Sequence, residues 1–369
     1  MQSRLLAKLE EDARTSKDRV TWARSVCRTA TQFARQGLTS EAVAAIESVR
    51  QAFGSGLEAE VAAWLMLAEG VCHFTAGDQQ AALDRIRRAD GIAVAFDSTP
   101  ARPSCAAWLA HIEFNLSEFG AMQAHLQRAL SEADPTDHQA LSRASLVMAD
   151  AYHYSGYFSI ARPWYDATRI HATAEGDEAT ISAMLYNVAA FRAANVLLAD
   201  ALGECLPDEA SRAKLEARSA ANYDNAVGTR SFESLTILLS GQLLLVEGRE
   251  RDALSRLSSI ASPTLPARLR AVLSSDLALC TARLGLSEDA RAYIRTALVE
   301  IGEKMDDDDA AYAWSRLSDV HSMLGDGTAA AEMAAKAGDA MIRLRTTRDS
   351  LKSRLDACAV AAQYPKPRM

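Results

Sequence analysis

Catalysis needs acids, bases, nucleophiles or metal ligands at defined spacings, and this 369-residue chain offers the residues without the spacings. Its seven histidines never fall four apart, the spacing that sets two metal ligands on one helix face. His111-Ile112-Glu113 matches H-x-E, but no P-C-x-x-C follows it, which excludes a zinc deaminase. The six cysteines lie far apart with no C-x-x-C, so neither a zinc ribbon nor a thioredoxin-type motif is encoded. No G-x-x-x-x-G-K-[ST], G-x-G-x-x-G or G-x-S-x-G occurs, which leaves no phosphate cradle and no nucleophile elbow. Carboxylates are plentiful but fall on polar helix faces, often four residues from a cation, as in Asp84 and Arg88. The expectation is a non-enzymatic chain with no cofactor and no metal.

Charge narrows the partners. The formal charge is −8, and the longest single-sign run is acidic, Asp306 to Asp309, so the basic stripe of a nucleic-acid-binding surface is missing. That run precedes a helical pattern, where carboxylates favour the positive end of the helix dipole; docking of a basic partner is the other use. Tryptophans at 22, 64, 108, 164 and 314 have no basic interleaving and read as packing rather than as a base-stacking platform. The N-terminus mixes charges throughout and has no apolar core of a signal peptide. The apolar run Leu235 to Val246 is short and interrupted by Ser240, Gly241 and Gln242, so no membrane span is expected. Dispersed cysteines fit buried free thiols in a reducing compartment, and the expected location is cytoplasmic.

The elements that position these residues are helices. Hydrophobic residues make up 49% of the chain and aromatics only 6%, with Gly and Pro scarce, a helix-forming bias. Candidate turn residues recur at Gly37, Gly77, Ser117, Gly156, Gly248, Gly285 and Gly325, in steps of 40, 40, 39, 92, 37 and 40 residues. Seven positions before each stands a small residue: Ala30, Gly70, Ala110, Ala149, Gly241, Ala278 and Ser318. Five after comes Ala42, Ala82, Ala161, Ala253, Ala290 or Ala330, with Met122 in the Ser117 unit, and nine after comes Ile46, Ile86, Leu126, Tyr165, Leu257, Ile294 or Ala334. Small residues let two antiparallel helices approach, a larger one fills the space beside them, and Gly turns the chain between them. Each pair keeps an apolar stripe that only a neighbouring pair can cover.

This pattern resembles the tetratricopeptide repeat, on Gly156-x-x-x-x-Ala161, its equivalents above, and Trp314-x-x-Leu317 ahead of Gly325. The resemblance covers roughly residues 17–346 apart from a stretch near 178–230. Two features depart from it: a period near 40 rather than about 34 residues, and repeat-end prolines that are mostly missing. Longer repeats of this kind look like the sensor region of MalT-type regulators and like repeats joined to bacterial signalling enzymes. HEAT-type repeats share the period but not the Gly/Ala signature. The implied fold is all-α, a right-handed superhelical array (an α-solenoid) of antiparallel helix pairs. The expected organisation is an N-terminal helix at 1–16, four pairs at 17–176, a degenerate lengthened pair at 177–230, three pairs at 231–346, and a capping helix with tail at 347–369.

The resemblance also implies a ligand surface, since the first helix of each pair in that family lines the concave face. With the turn residue as position fifteen, ligand contacts at positions two, five, nine, twelve and thirteen correspond to Trp64, Leu67, Val71 and Phe74 in the second pair. They correspond to His111, Phe114 and Asn115 in the third, and to Arg143, Asp150, His153 and Tyr154 in the fourth. One further step falls near Tyr186 and Asn187. Amide, imidazole and carboxylate groups over apolar walls suit an extended peptide or a partner helix. His111 and His153 have a plainer use as well, satisfying each other or a carbonyl between helices. Two functional readings follow: an interaction scaffold or regulator that binds a peptide or protein, and a ligand-sensing module whose output lies in a partner chain. The sequence leaves the oligomeric state open.

Overall fold

A computed structural model of the chain describes residues 3–54, 56–98, 100–302 and 305–358. The described residues hold seventeen α-helices and no strand. A leading helix, α1 (Arg4–Thr15), precedes α2 (Arg19–Arg35) and α3 (Thr39–Phe53), then α4 (Ala59–Thr75) and α5 (Gln79–Ala95). Next come α6 (Arg102–Asn115) with α7 (Phe119–Glu132), and α8 (His138–Tyr154) with α9 (Phe158–Glu175). Two long helices, α10 (Glu178–Ala201) and α11 (Pro207–Val227), are followed by α12 (Glu233–Val246) with α13 (Glu250–Leu257). The chain continues with α14 (Ala267–Arg283) and α15 (Ser287–Glu300), then α16 (Asp307–Met323) and α17 (Gly327–Asp356). The final segment at 347–369, expected as a separate capping helix with a tail, instead continues α17 without a break to Asp356; its residues 359–369 lie outside the described residues.

The turn residues do what their spacing requires. The six turn glycines have φ between 69° and 88°, and Ser117 takes φ 58° although it carries a side chain. At Gly77 the amide bonds back to Phe74 O (3.0 Å) and the next amide to His73 O (3.0 Å), which closes the helix end. Ser117 and Glu118 repeat this on Phe114 O (3.0 Å) and Glu113 O (2.8 Å). Aspartates start several helices: Asp18, Asp78 and Asp137 each accept a bond from a first-turn amide of α2, α5 and α8.

Within a pair, the small residue before the turn meets the large one after it. A Cβ placed on Gly70 would collide with the Ile86 side chain, and one on Gly241 with Leu257. These are the positions seven before and nine after Gly77 and Gly248, so the small-to-large spacing is a helix–helix contact.

The chain divides into two compact units. The first comprises Met1–Met184, Asp224–Ser231 and Ser350–Met369, and the second Leu185–Tyr223 and Phe232–Asp349. In the first, one core cluster joins α2 to α6 through Cys27, Val49, Leu67, Ile86 and Leu109. A second joins α6 to α9 through Met122, Val147, Met148 and Trp164, and also takes in Leu351 and Leu355. In the second unit Leu279, Ile294, Leu317 and Met333 form a core. Buried Asp276 there accepts from Tyr312 Oη (2.6 Å) and Gln242 Nε2 (3.0 Å), and burial pushes its carboxyl up to about 6. The acidic run at the start of α16 is held by arginines: Arg268 on Asp306 (3.0 Å) and Asp309 (2.7 Å), Arg343 on Asp307 (2.8 Å).

Among the described residues only α10 is long and apolar enough to cross a membrane, at mean hydropathy 1.4. Its Arg192 binds Glu209 and Glu216 (2.7 Å) of α11, and Ala189, Ala193 and Val196 are buried. Those features are of an interior helix, since the ions would have to enter lipid.

Gly70→Ala should destabilise the chain by about 1–3 kcal/mol, because the new methyl overpacks against Ile86. The double variant Gly70→Ala/Ile86→Ala should cost less than the two single losses added together, measured by urea unfolding. Additive losses would show that the two positions do not touch.

Candidate functional site

The first unit is drawn together on its inner side by arginines of α2. Arg28 donates through Nε to Gln139 Oε1 of α8 (2.8 Å) and pairs with Glu175 at the end of α9 (2.8 Å). Arg35 pairs with Asp177 (2.8 Å) and donates to Thr180 Oγ1 (2.6 Å) at the start of α10. The helix that opens the first repeat therefore touches the fourth and the beginning of the fifth. α1 adds to this closure: Leu5 N donates to Gly176 O (3.2 Å), and Ser3 Oγ donates to Glu178 (2.8 Å).

A cleft remains where α2, α4, α6, α8 and the start of α10 converge. Its walls include Arg28, Thr31, Gln32 and Arg35 from α2, Trp64 and Leu67 from α4, Ser104 and Trp108 from α6, Gln139 and Arg143 from α8, and Asp177 with Thr180. Its volume is about 30 Å³, room for a water or two. Burial by itself would raise Asp177; Arg35 and the bonds from Thr180 reverse this and hold the carboxyl below its ordinary value.

Arg143 is the exception among the arginines. Its guanidinium lies 4.1 Å from the centre of the Trp108 ring, and Nη1 donates to His111 Nδ1 at 3.4 Å. It makes no ion-pair contact with a carboxylate among the described residues, although it is 6% exposed; Asp177 and Asp150 supply nearby negative charge that favours its charged form. Burial, with Arg35 nearby, pulls Arg143 down to about 9, which still leaves it charged at neutral pH. Burial and the two arginines hold His111 well below its ordinary value, so the ring is neutral and its Nδ1 lone pair accepts. The rings form a cluster: Phe74 meets His111 edge-on at 5.0 Å and Trp108 at 5.6 Å.

Two donors in the same wall are buried without a partner among the described residues, Gln32 Nε2 and Trp64 Nε1. The Gln32 amide is oriented by Arg35, which donates to Gln32 Oε1 (2.9 Å) and so turns the amide nitrogen away.

Trp64, Leu67 and Arg143 thus lie in the cleft, with Phe74 and His111 packed beside it through Trp108. Phe114 and Tyr154 form an edge-on pair at 6.1 Å, and Asn115 beside them is exposed. Val71 is buried in the core of the first three pairs. Asp150 and His153 meet Tyr165 of their own helix pair: the phenol donates to Asp150 Oδ1 (2.9 Å) and lies 3.1 Å from His153 Nδ1. The two histidines therefore have separate partners, Arg143 and Tyr165, rather than each other. Tyr186 and Asn187 belong to the second unit, where Tyr186 stacks on Phe232 at 5.0 Å. Gln32, Arg28, Gln139, Asp177 and Thr180 also line the cleft, outside the positions expected from the sequence. The repeat count carried to the first pair reaches Thr31 and Arg35; the others have no signal in the repeat.

The carboxylates of Asp306, Asp308 and Asp309 lie within 4.8 Å of one another, the one such group among the described residues. Arg268 lies against two of them, where a cation would bind.

No protein-family profile matches the chain, and no curated protein matches it. Solved structures do. A Rap protein complexed with competence and sporulation factor is similar over 95% of this chain and 92% of its own, with TM-score 0.53 and 12% identity. The apo form of RapI is similar over 92% of each chain, with TM-score 0.48 and 12% identity. The first likeness shows a shared fold, the tetratricopeptide-like stack of helix pairs.

His111 gives this site a pH signature. Its pKa is depressed in the folded chain, so its contribution to stability is present above the ordinary value of 6.5 and is lost as the pH falls below it. His111→Phe, which keeps a ring against Phe74, should lose less stability than the parent between pH 7 and pH 5, followed by thermal unfolding. Identical slopes would show that His111 titrates as freely in the folded chain as in the unfolded one.

Proposed function

We propose that the chain is a non-enzymatic regulator whose first unit binds an extended peptide, or a segment of a partner protein, along its inner helices. The observation that carries this reading is a buried polar cleft continued by rings. Trp64 and Arg143 line it, Phe74 and His111 flank it, and the Phe114–Tyr154 pair with exposed Asn115 lies further along the same helices. Main-chain groups of a peptide would find donors and acceptors in Asn115 and the cleft amides, while its side chains meet the rings. Asp150 and His153 would take part through Tyr165; Tyr186 and Asn187, in the second unit, would make a separate contact of their own. The Rap protein of similar fold was solved with a bound factor, which supports ligand binding by such a stack. The charge of −8 argues against nucleic acid, and six unbridged cysteines suit a reducing cytoplasm.

A second reading, a sensor that passes its signal to a partner chain as in MalT-type regulators, is favoured by the closure itself. A ligand in the cleft would touch α2, α8 and α10 at once, helices far apart in sequence, and so bias how firmly the unit is closed.

The test is affinity capture from the native host with the full chain as bait. A specific partner should be retained at least about tenfold less by Arg143→Gln and by Phe114→Ala, and equally by Val94→Ser on the exposed side of α5. Equal retention by all four proteins would contradict the reading.

A further inference from the structure

We propose that His138 and His171 of the first unit bind a divalent transition cation, nickel(II) or copper(II). The sequence sets no two histidines four apart, but the packing of α8 on α9 brings together two that lie 33 residues apart. His138 opens α8, and His171 lies near the end of α9. Both are half-buried. Their Nδ1 atoms face each other at 3.0 Å, with ring centres 5.3 Å apart and planes tilted by 39°. Two neutral imidazoles meet nitrogen to nitrogen only if one carries a proton there and the other a lone pair. A cation in place of that proton is held by both lone pairs, and each ring then keeps its own proton at Nε2. The exchange releases no proton and takes none up.

The separation also selects the cation. Nickel, copper and zinc take imidazole nitrogen, whereas magnesium and calcium take oxygen. At metal–nitrogen distances of about 2.0–2.1 Å, nitrogens 3.0 Å apart subtend about 90–100° at the metal. Neighbouring corners of a square or an octahedron meet that angle, the habit of copper(II) and nickel(II). The tetrahedron of zinc needs nitrogens about 3.3 Å apart. A turn of each ring aims both lone pairs at one metal. Among the described residues no third carboxylate, thiol or imidazole lies within 4.8 Å of both nitrogens, so water fills the other positions. The surrounding charge favours a cation, since Asp134, Asp137 and Glu175 stand around the start of α8 against Arg28 and Lys8. The metal would also tie together two helix ends that α2 holds. Gln139 follows His138, Glu175 lies one turn past His171, and both bind Arg28.

The experiment uses the full chain, stripped with EDTA and desalted, and the probes are NiCl2, CuCl2 and MgCl2 alone. Calorimetric titration with NiCl2 at neutral pH should show one site per chain. Nickel at about a hundredfold over its dissociation constant should raise the melting temperature by about 3 °C, and MgCl2 should do neither. His138→Gln and His171→Gln each leave an amide against the remaining ring. Each should weaken nickel binding about a hundredfold, because two linked ligands outbind one by that order, while His73→Gln binds as the parent does. Far-UV circular dichroism shows whether each variant is folded. A second measurement on the parent chain needs no variant: copper(II) with ascorbate oxidises the histidines that hold the metal. Mass spectrometry should find the added oxygen at His138 and His171 ahead of His73. The absence of a nickel site on the parent overturns the proposal. So does unchanged nickel binding in either folded variant, or oxidation spread evenly over the seven histidines.

Discussion

Arg35 and Asp177 hold the first unit closed. They are 10% and 3% exposed and 2.8 Å apart, and they join the end of the first inner helix to the start of the fifth. A buried ion pair contributes modest net stability, because desolvation offsets most of the attraction. What such a pair does well is fix register: only one approach of α2 to α10 satisfies Arg35, Asp177, Thr180 and Gln32 together. Arg28 repeats the device on Gln139 and Glu175, and α1 closes the outside against Gly176 and Glu178. Remove these contacts, and the repeats of this unit would remain stacked pairs with no cleft between them.

The same interactions decide the character of the site. Asp177 and Glu175 are bound by Arg35 and Arg28, and Asp150 by Tyr165, so Arg143 feels Asp177 and Asp150 without an ion-pair contact and rests on Trp108 instead. A cation over a desolvated indole gains on the order of 2 kcal/mol, less than burial of the charge costs. Burial keeps His111 neutral, and the positive charges of Arg143 and Arg35 reinforce this.

The repeat pattern was legible because it is local. Gly77 with Gly70 and Ile86, and Gly248 with Gly241 and Leu257, carry their meaning in spacing alone, and the structure turns each spacing into a contact. Ser117 was legible for the same reason, taking the glycine conformation where the count required a turn. Positions two and five of the repeat reached Trp64, Leu67 and Arg143 in the cleft. Positions toward the helix ends reached Phe74, His111 and Phe114 beside it, whereas Asp150 and His153 are bound to Tyr165 of their own pair. What no spacing could supply was closure: Arg28 meets Gln139 across 111 residues, and Arg35 meets Asp177 across 142. Periodicity describes how each pair packs on the next, not how far a row of pairs bends until its first helix meets its fifth.

Closure is therefore the claim on which the account stands, and a double-mutant cycle on Arg35 and Asp177 tests it most directly. Stability to urea is measured for the parent, Arg35→Met, Asp177→Leu and the double variant. Each single change should be strongly destabilising, since it leaves a buried charge alone, and the double variant less so. The coupling between the two should be about 1–3 kcal/mol. Losses that add within about 0.5 kcal/mol would contradict it, because two residues that do not meet in the folded chain behave that way.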